Sequence, residues 1–351
     1  MSHTAKTAPH NKSAVEVAIN IQQESAGASR YFDAGRRNFL AQLSSTAVLT
    51  AFFSTPLSAS PSRYQDRLYT PTQITKLFGT YFIIDCWHHR ILYSKNIFTS
   101  IASWKTLDDD LAGPHSIASN GSVYVVDDTG RHALKIYRSL SDDKFELIQT
   151  VPNVGNRPHR VLYDHRNKQF LIIGSSDQSI HIFIEKNGKL VSVFEQEIVQ
   201  LEKQYCRSIT IQGSVLYFVG VNDILLFELK RHSIGKMIKK IKLDKKYTGS
   251  NDLFFSNNKA GFLTSTSKRI VSFETILDLE RGTATDFSKK FKGTPYYIER
   301  FDNRIWIPEI TEHSAISFTE KPNSKQLNIE KLFDFGSPQS ESLIRKSTLP
   351  L

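Results

Sequence analysis

From about residue 70 onward the chain alternates short apolar runs with polar turn residues and never settles into a helical period. The clearest unit opens at Pro114-His115-Ser116-Ile117, turns at Asn120-Gly121 and runs as a strand from Ser122 to Val126. It turns again at Asp127-Asp128-Thr129-Gly130, then gives strands over Ala133–Tyr137 and Phe145–Val151. The same order restarts at Pro158-His159-Arg160, at Arg207-Ser208, at Asn251-Asp252 and at Tyr296-Tyr297. Taking His115, His159, Arg207, Asn251 and Tyr296 as equivalent, the spacings are 44, 48, 44 and 45 residues. An earlier unit begins near Gln73, with Tyr81–Asp85 and Arg90–Tyr93 as its middle strands.

A period in the forties with four strands per unit predicts propeller blades, because a four-stranded blade has two apolar faces that only neighbouring blades can cover. The pattern therefore predicts an all-β, six-bladed β-propeller over residues 70–336 and a flexible tail over 337–351. Residues 1–60 read differently. A polar, disordered leader reaches Arg36-Arg37, followed by Phe39-Leu40 and a weakly apolar run to Leu57. That order predicts a twin-arginine export signal and a periplasmic or extracellular protein. Gln42 and several Ser and Thr make the run a poor membrane span, so membrane contact is expected only through an uncleaved signal.

Hydrophobic residues make up 40% of the chain and charged residues 23%, which suits a packed core rather than disorder. Two cysteines, Cys86 and Cys206, exclude a disulfide-built scaffold, and they fall on opposite sides of the predicted propeller. The net charge of +10 gathers between Lys230 and Lys246, as expected of a solvated outer strand or of a patch for anionic partners. No nucleic-acid-binding motif accompanies it.

The unit from His115 to Tyr137 resembles the NHL repeat, through Asp127 and Arg131 here and Asp85 and Arg90 in the first blade. Later blades depart from that pattern at Gly220, Asn222, Ser265 and Pro308. The resemblance implies that the inner strand of each blade starts at the mouth of a central channel. His115, His159, Arg207, Asn251 and Tyr296, flanked by Arg157, Arg160 and Asp252, then converge as ligand-binding candidates. Polar groups brought together there must pair, bind a ligand or line a wet channel. Asp85 and Asp127 are expected to cap turns, and Trp87-His88-His89 to decorate the surface.

Two chemistries follow. Arg157, Arg160 and Arg207 suit an anionic ligand, since guanidinium groups clamp carboxylate or phosphate. The partner would be a small anionic molecule, a polysaccharide or a protein. Alternatively, His115 and His159 resemble the zinc-binding histidines of the peptidyl-α-hydroxyglycine amidating lyases, which are six-bladed propellers of NHL type. That resemblance implies a metal-dependent hydrolase or lyase. A third histidine is absent, so Asp252 or a loop carboxylate would have to complete a zinc set. Asp108-Asp109-Asp110 could hold Ca²⁺ or partner the axial arginines.

Overall fold

The computed structural model describes residues 67–141, 144–256, 259–312, 314–319 and 329–334. Arg36, Arg37, the leader over 1–60 and the tail over 337–351 lie outside the described residues. Six four-stranded antiparallel sheets make up a six-bladed propeller, spanning residues 71–108, 117–151, 158–197, 206–242, 250–286 and 299–334. Each sheet consists of four strands consecutive in sequence. Among the described residues no strand is exchanged between the first and last blades, so packing between their faces closes the circle.

Six clusters of buried apolar residues do this, one at each junction between adjacent blades. Phe82, Ile84 and Ile91 of blade one pack on Tyr124 and Val126 of blade two. The closing junction sets Leu68, Ile74, Ile83 and Trp104 of blade one against Phe301, Trp306 and Ala315 of blade six. Phe301 and Trp306 stack there at 4.9 Å. Around this apolar seam Gln73 donates to Glu299 at 2.6 Å and Tyr81 to Asp302 at 2.6 Å. Burial of the two faces of every blade drives the closure, at roughly 25 cal/mol per Å² of apolar surface. The lysine-rich strand Ser233–Lys242 is the outermost of blade four, with Lys236, Met237, Ile238 and Lys239 exposed.

The strand starts carry a repeated irregularity. Pairing to the second strand skips one residue between Pro71 and Gln73, between Pro158 and Arg160, between Cys206 and Ser208, and between Ser250 and Asp252. The skipped residues are Thr72, His159, Arg207 and Asn251. A bulge of this kind re-aims a side chain, here at the start of the inner strand in blades one, three, four and five. The member from blade one is therefore Thr72, one residue before Gln73, where the sequence spacing had placed the unit.

Register also corrects the reading of the acidic turns. Asp85 faces Arg90 across its hairpin and Asp128 faces Ala133, so Asp128 and not Asp127 is the counterpart of Asp85. Arg131 accordingly pairs with Asp128 at 3.0 Å, and Arg90 with Asp85 at 3.0 Å. Neither aspartate caps the short 3-10 turn that follows it. Asp85 accepts the backbone N–H groups of Tyr69 and Thr70, Asp128 that of Ala112, and Glu309 of blade six those of Lys292 and Gly293. These carboxylates thus fasten the segment that leads into each inner strand.

Candidate functional site

The four skipped residues, with His115 and Tyr296 at the equivalent positions of blades two and six, form an upper tier: Thr72, His115, His159, Arg207, Asn251 and Tyr296. The next residues form a lower tier: Gln73, Ser116, Arg160, Ser208, Asp252 and Tyr297. Blades three and six lie opposite each other, so a contact between them crosses the axis. His159 Nδ1 lies 2.7 Å from the Tyr297 hydroxyl, and Arg160 reaches Glu299 at 3.0 Å. Side chains therefore cross the propeller axis, and the channel is not an open wet funnel at this depth.

The lower tier stitches neighbouring blades together. Gln73 accepts the N–H of Ile117, the Ser116 hydroxyl that of Val161, and Asp252 that of Ile298. Ser208 donates to Asp252 at 2.5 Å. Burial pushes the Asp252 carboxyl up to about 6. The Arg160 guanidinium stacks 4.2 Å over the Tyr297 face, and its Nε and Nη1 have no hydrogen-bond partner.

In the upper tier the His115 and His159 imidazoles stack at 3.8 Å with a 28° angle between planes. His115 Nδ1 lies 3.0 Å from the Thr129 hydroxyl, and its Nε2 lies 3.7 Å from the Cys86 thiol. His159 Nδ1 also approaches the Arg207 carbonyl at 3.1 Å, while its Nε2 faces the Tyr296 hydroxyl at 3.3 Å. The carbonyl can only accept, so Nδ1 carries the proton and Tyr296 donates to Nε2. Burial, with Arg157 and Arg207 nearby, pushes His115 down to about 3, and burial, with His115 and both arginines nearby, holds His159 well below the usual range. Both are neutral at pH 7 and supply no positive charge to a ligand.

Asp127 holds this floor from beneath. Its carboxylate accepts the N–H groups of His115 and Ser116 at 2.9 and 2.6 Å, and the hydroxyls of Ser116 and Thr129 at 2.9 and 2.6 Å. Burial pushes this carboxyl up to about 8, against four donors that favour the ionised form.

The walls come from the residues two positions before the tier: Thr70, Gly113, Arg157, Tyr205, Gly249 and Thr294. Backbone bonds to the following turn anchor several of them, among them Arg157 through Ser175 and Tyr205 through Val221. Gly113 and Gly249 adopt φ of 64° and 77°, a region that favours glycine, and so present no side chain to the mouth. Arg157 hydrogen-bonds the Tyr205 hydroxyl, and the Arg207 guanidinium lies 4.9 Å over the Tyr205 face. Both guanidiniums act electrostatically on His115 and His159. Neither has a carboxylate within ion-pair distance among the described residues, and the buried Arg207 Nη1 has no partner.

Of the candidates read from sequence, His115, His159, Arg157, Arg207 and Tyr296 come together at the mouth. Asn251 stands in the same tier with its amide donating to Pro295 O and its Oδ1 buried without a partner. Arg160 and Asp252 belong to the lower tier. The zinc set does not fit: among the described residues no third His, Cys, Asp or Glu joins a group able to hold a metal. Asp252 is committed to Ser208 and Ile298 instead. Asp108 and Asp110 bind Lys135, Tyr137 and Arg131 of blade two, not the axial arginines. His88 and His89 are not decoration: His88 contacts Asp85 at 2.7 Å, and His89 Nδ1 accepts the Gly113 N–H at 3.0 Å. Cys86 and Cys206 are both buried free thiols.

Sequence reasoning missed Tyr205, Tyr297, Asp127 and Cys86 as parts of this site. Tyr205 and Arg157 share one blade position, and extending the alignment two residues toward the N-terminus would have found them.

No protein-family model matches the sequence, and neither does any curated protein. Solved propellers do resemble it in fold. A protein from Lactobacillus plantarum superposes with a TM-score of 0.56 at 12% identity, over 75% of this chain and 84% of that one. A Bacteroides uniformis protein, provisionally described as a 6-phosphogluconolactonase, gives 0.54 at 12% over 72% and 80%. A streptogramin B lyase gives 0.53 at 14% over 76% and 84%. At these identities the likeness shows the fold alone.

Proposed function

We propose that this is an exported propeller that binds a small anionic ligand at the mouth of its axis. One observation carries the reading: Arg157 and Arg207 converge above a neutral histidine floor with no carboxylate partner among the described residues, and the buried Arg207 Nη1 has no partner among them either. An uncompensated buried guanidinium is costly, and an anion relieves that cost. The neighbouring Tyr205 pre-orders both guanidiniums, which favours a fixed geometry for the bound group.

The binding reading is favoured over a metal-dependent hydrolase or lyase because the His115 nitrogens face the Thr129 hydroxyl and the Cys86 thiol, and those of His159 the Arg207 carbonyl and the Tyr296 hydroxyl. Anion binding to the native state alone raises the melting temperature with concentration. Acetate and inorganic phosphate at matched ionic strength are expected to raise it in the wild type. Arg207→Gln should weaken that binding on the order of 30-fold, the lower range for removing a buried charge partner. An equal rise in both proteins would place the anions elsewhere.

Export rests on Arg36-Arg37 ahead of a weakly apolar run. Replacing both, Arg36→Lys with Arg37→Lys, is expected to leave the protein in the cytoplasmic fraction of a bacterial host. Unchanged recovery from the periplasm would remove this part of the proposal.

A further inference from the structure

Two buried atoms of the upper tier lack partners among the described residues, and they are of opposite kinds. Arg207 Nη1 is a charged donor, and Asn251 Oδ1 is a neutral acceptor on the adjacent blade of the same tier. The Asn251 amide nitrogen is fixed on Pro295 O at 2.9 Å, so the oxygen cannot be exchanged for the nitrogen without losing that bond. Arg207 is 7% exposed and Asn251 is 0% exposed, so bulk water satisfies neither atom. A simple anion answers the arginine and leaves the asparagine oxygen unmet. A ligand that carries an anionic group beside a hydrogen-bond donor answers both.

An ammonium donor would meet the field of Arg157 and Arg207, neither of which has a carboxylate within ion-pair distance among the described residues. A hydroxyl donates without carrying charge. Resting on the anion-binding reading above, we infer that the ligand is a hydroxylated carboxylate of the sugar-acid type. Its carboxylate is held by Arg157 and Arg207, and one of its hydroxyls donates to Asn251 Oδ1. Bidentate geometry at a guanidinium suits a carboxylate, and a site with a built-in acceptor rejects an analogue lacking the matching hydroxyl.

Trp87 provides the readout. It is half-buried on the turn that begins with Cys86, whose thiol lies against His115, whereas Trp104 and Trp306 are buried at 3% and 2% exposure. Fluorescence titration of the full chain would compare D-glucuronate, cyclohexanecarboxylate, acetate and D-glucose, with calorimetry as a second record. Glucuronate is expected to bind at least about tenfold more tightly than cyclohexanecarboxylate, the gain of one hydrogen bond to an otherwise unpaired buried group. Asn251→Ala should shrink that preference below about twofold, and the wild-type ligand comparison stands even if the variant does not fold. Equal affinity for the two acids would overturn the sugar-acid inference while leaving anion binding intact. Glucose binding as tightly as glucuronate would overturn it as well. Failure of every acid to bind would overturn both.

Discussion

Asp127→Ala is expected to destabilise the protein by about 3–5 kcal/mol, measured as a drop in urea midpoint at unchanged slope. The carboxylate is fully buried and accepts four hydrogen bonds, two of them from the backbone N–H groups of His115 and Ser116. The Ser116 hydroxyl can turn to the His159 carbonyl and the Thr129 hydroxyl to the Pro158 carbonyl, which lie at 3.4 and 2.7 Å. The two backbone donors have no such alternative. Each orphaned donor costs about 1–3 kcal/mol, and loss of the carboxylate adds a cavity. A loss below about 1 kcal/mol would mean that Asp127 does not hold the floor of the site.

The second large effect belongs to the ion pair that crosses the axis. Glu299→Ala should cost about 3 kcal/mol, because it strands the Arg160 guanidinium, whose side chain is only 6% exposed. Gln73 loses its acceptor in the same step. Replacing both charges, Arg160→Leu with Glu299→Leu, should recover most of that loss, since an apolar pair can substitute for a buried ion pair. Asp302→Ala serves as the contrast. Its bridge to Lys76 lies at the surface, with side chains 38% and 29% exposed, and should be worth less than about 1 kcal/mol. Comparable losses at Glu299 and Asp302 would show that the axial pair contributes no more than a solvated one.

These expectations depend on features of unequal visibility in the sequence. Blade number was legible because apolar runs recur with a period that only stacked four-stranded sheets explain, and the six interblade clusters bear it out. The column containing His115, His159, Arg207, Asn251 and Tyr296 was legible for the same reason. The bulge that turns this column toward the axis was not, because a skipped pairing leaves no residue signature at Thr72, His159, Arg207 or Asn251. Asp127 was misassigned because two adjacent aspartates both fit the turn, and only register tells Asp128 from its neighbour. Contacts between opposite blades, such as His159 with Tyr297 and Arg160 with Glu299, join residues 138 and 139 positions apart. Spacing along the chain carries no information about such pairs.

The absence of a third histidine from the column was already visible as Arg207, Asn251 and Tyr296. Depth was hidden. Arg157, Arg160 and Arg207 look alike in sequence, yet Arg160 is neutralised by Glu299 in the lower tier. Arg157 and Arg207 stand above it against Tyr205. That division turns a general basic mouth into a two-arginine site.

The most direct test of that site is a crystal soaked in bromide, with the anion located by anomalous scattering. The account predicts a peak within hydrogen-bond distance of Arg207 Nη1 and beside Arg157, lost in crystals of Arg207→Gln. Bromide bound only at the outer lysines of blade four, with no peak at Arg157 and Arg207, would contradict it.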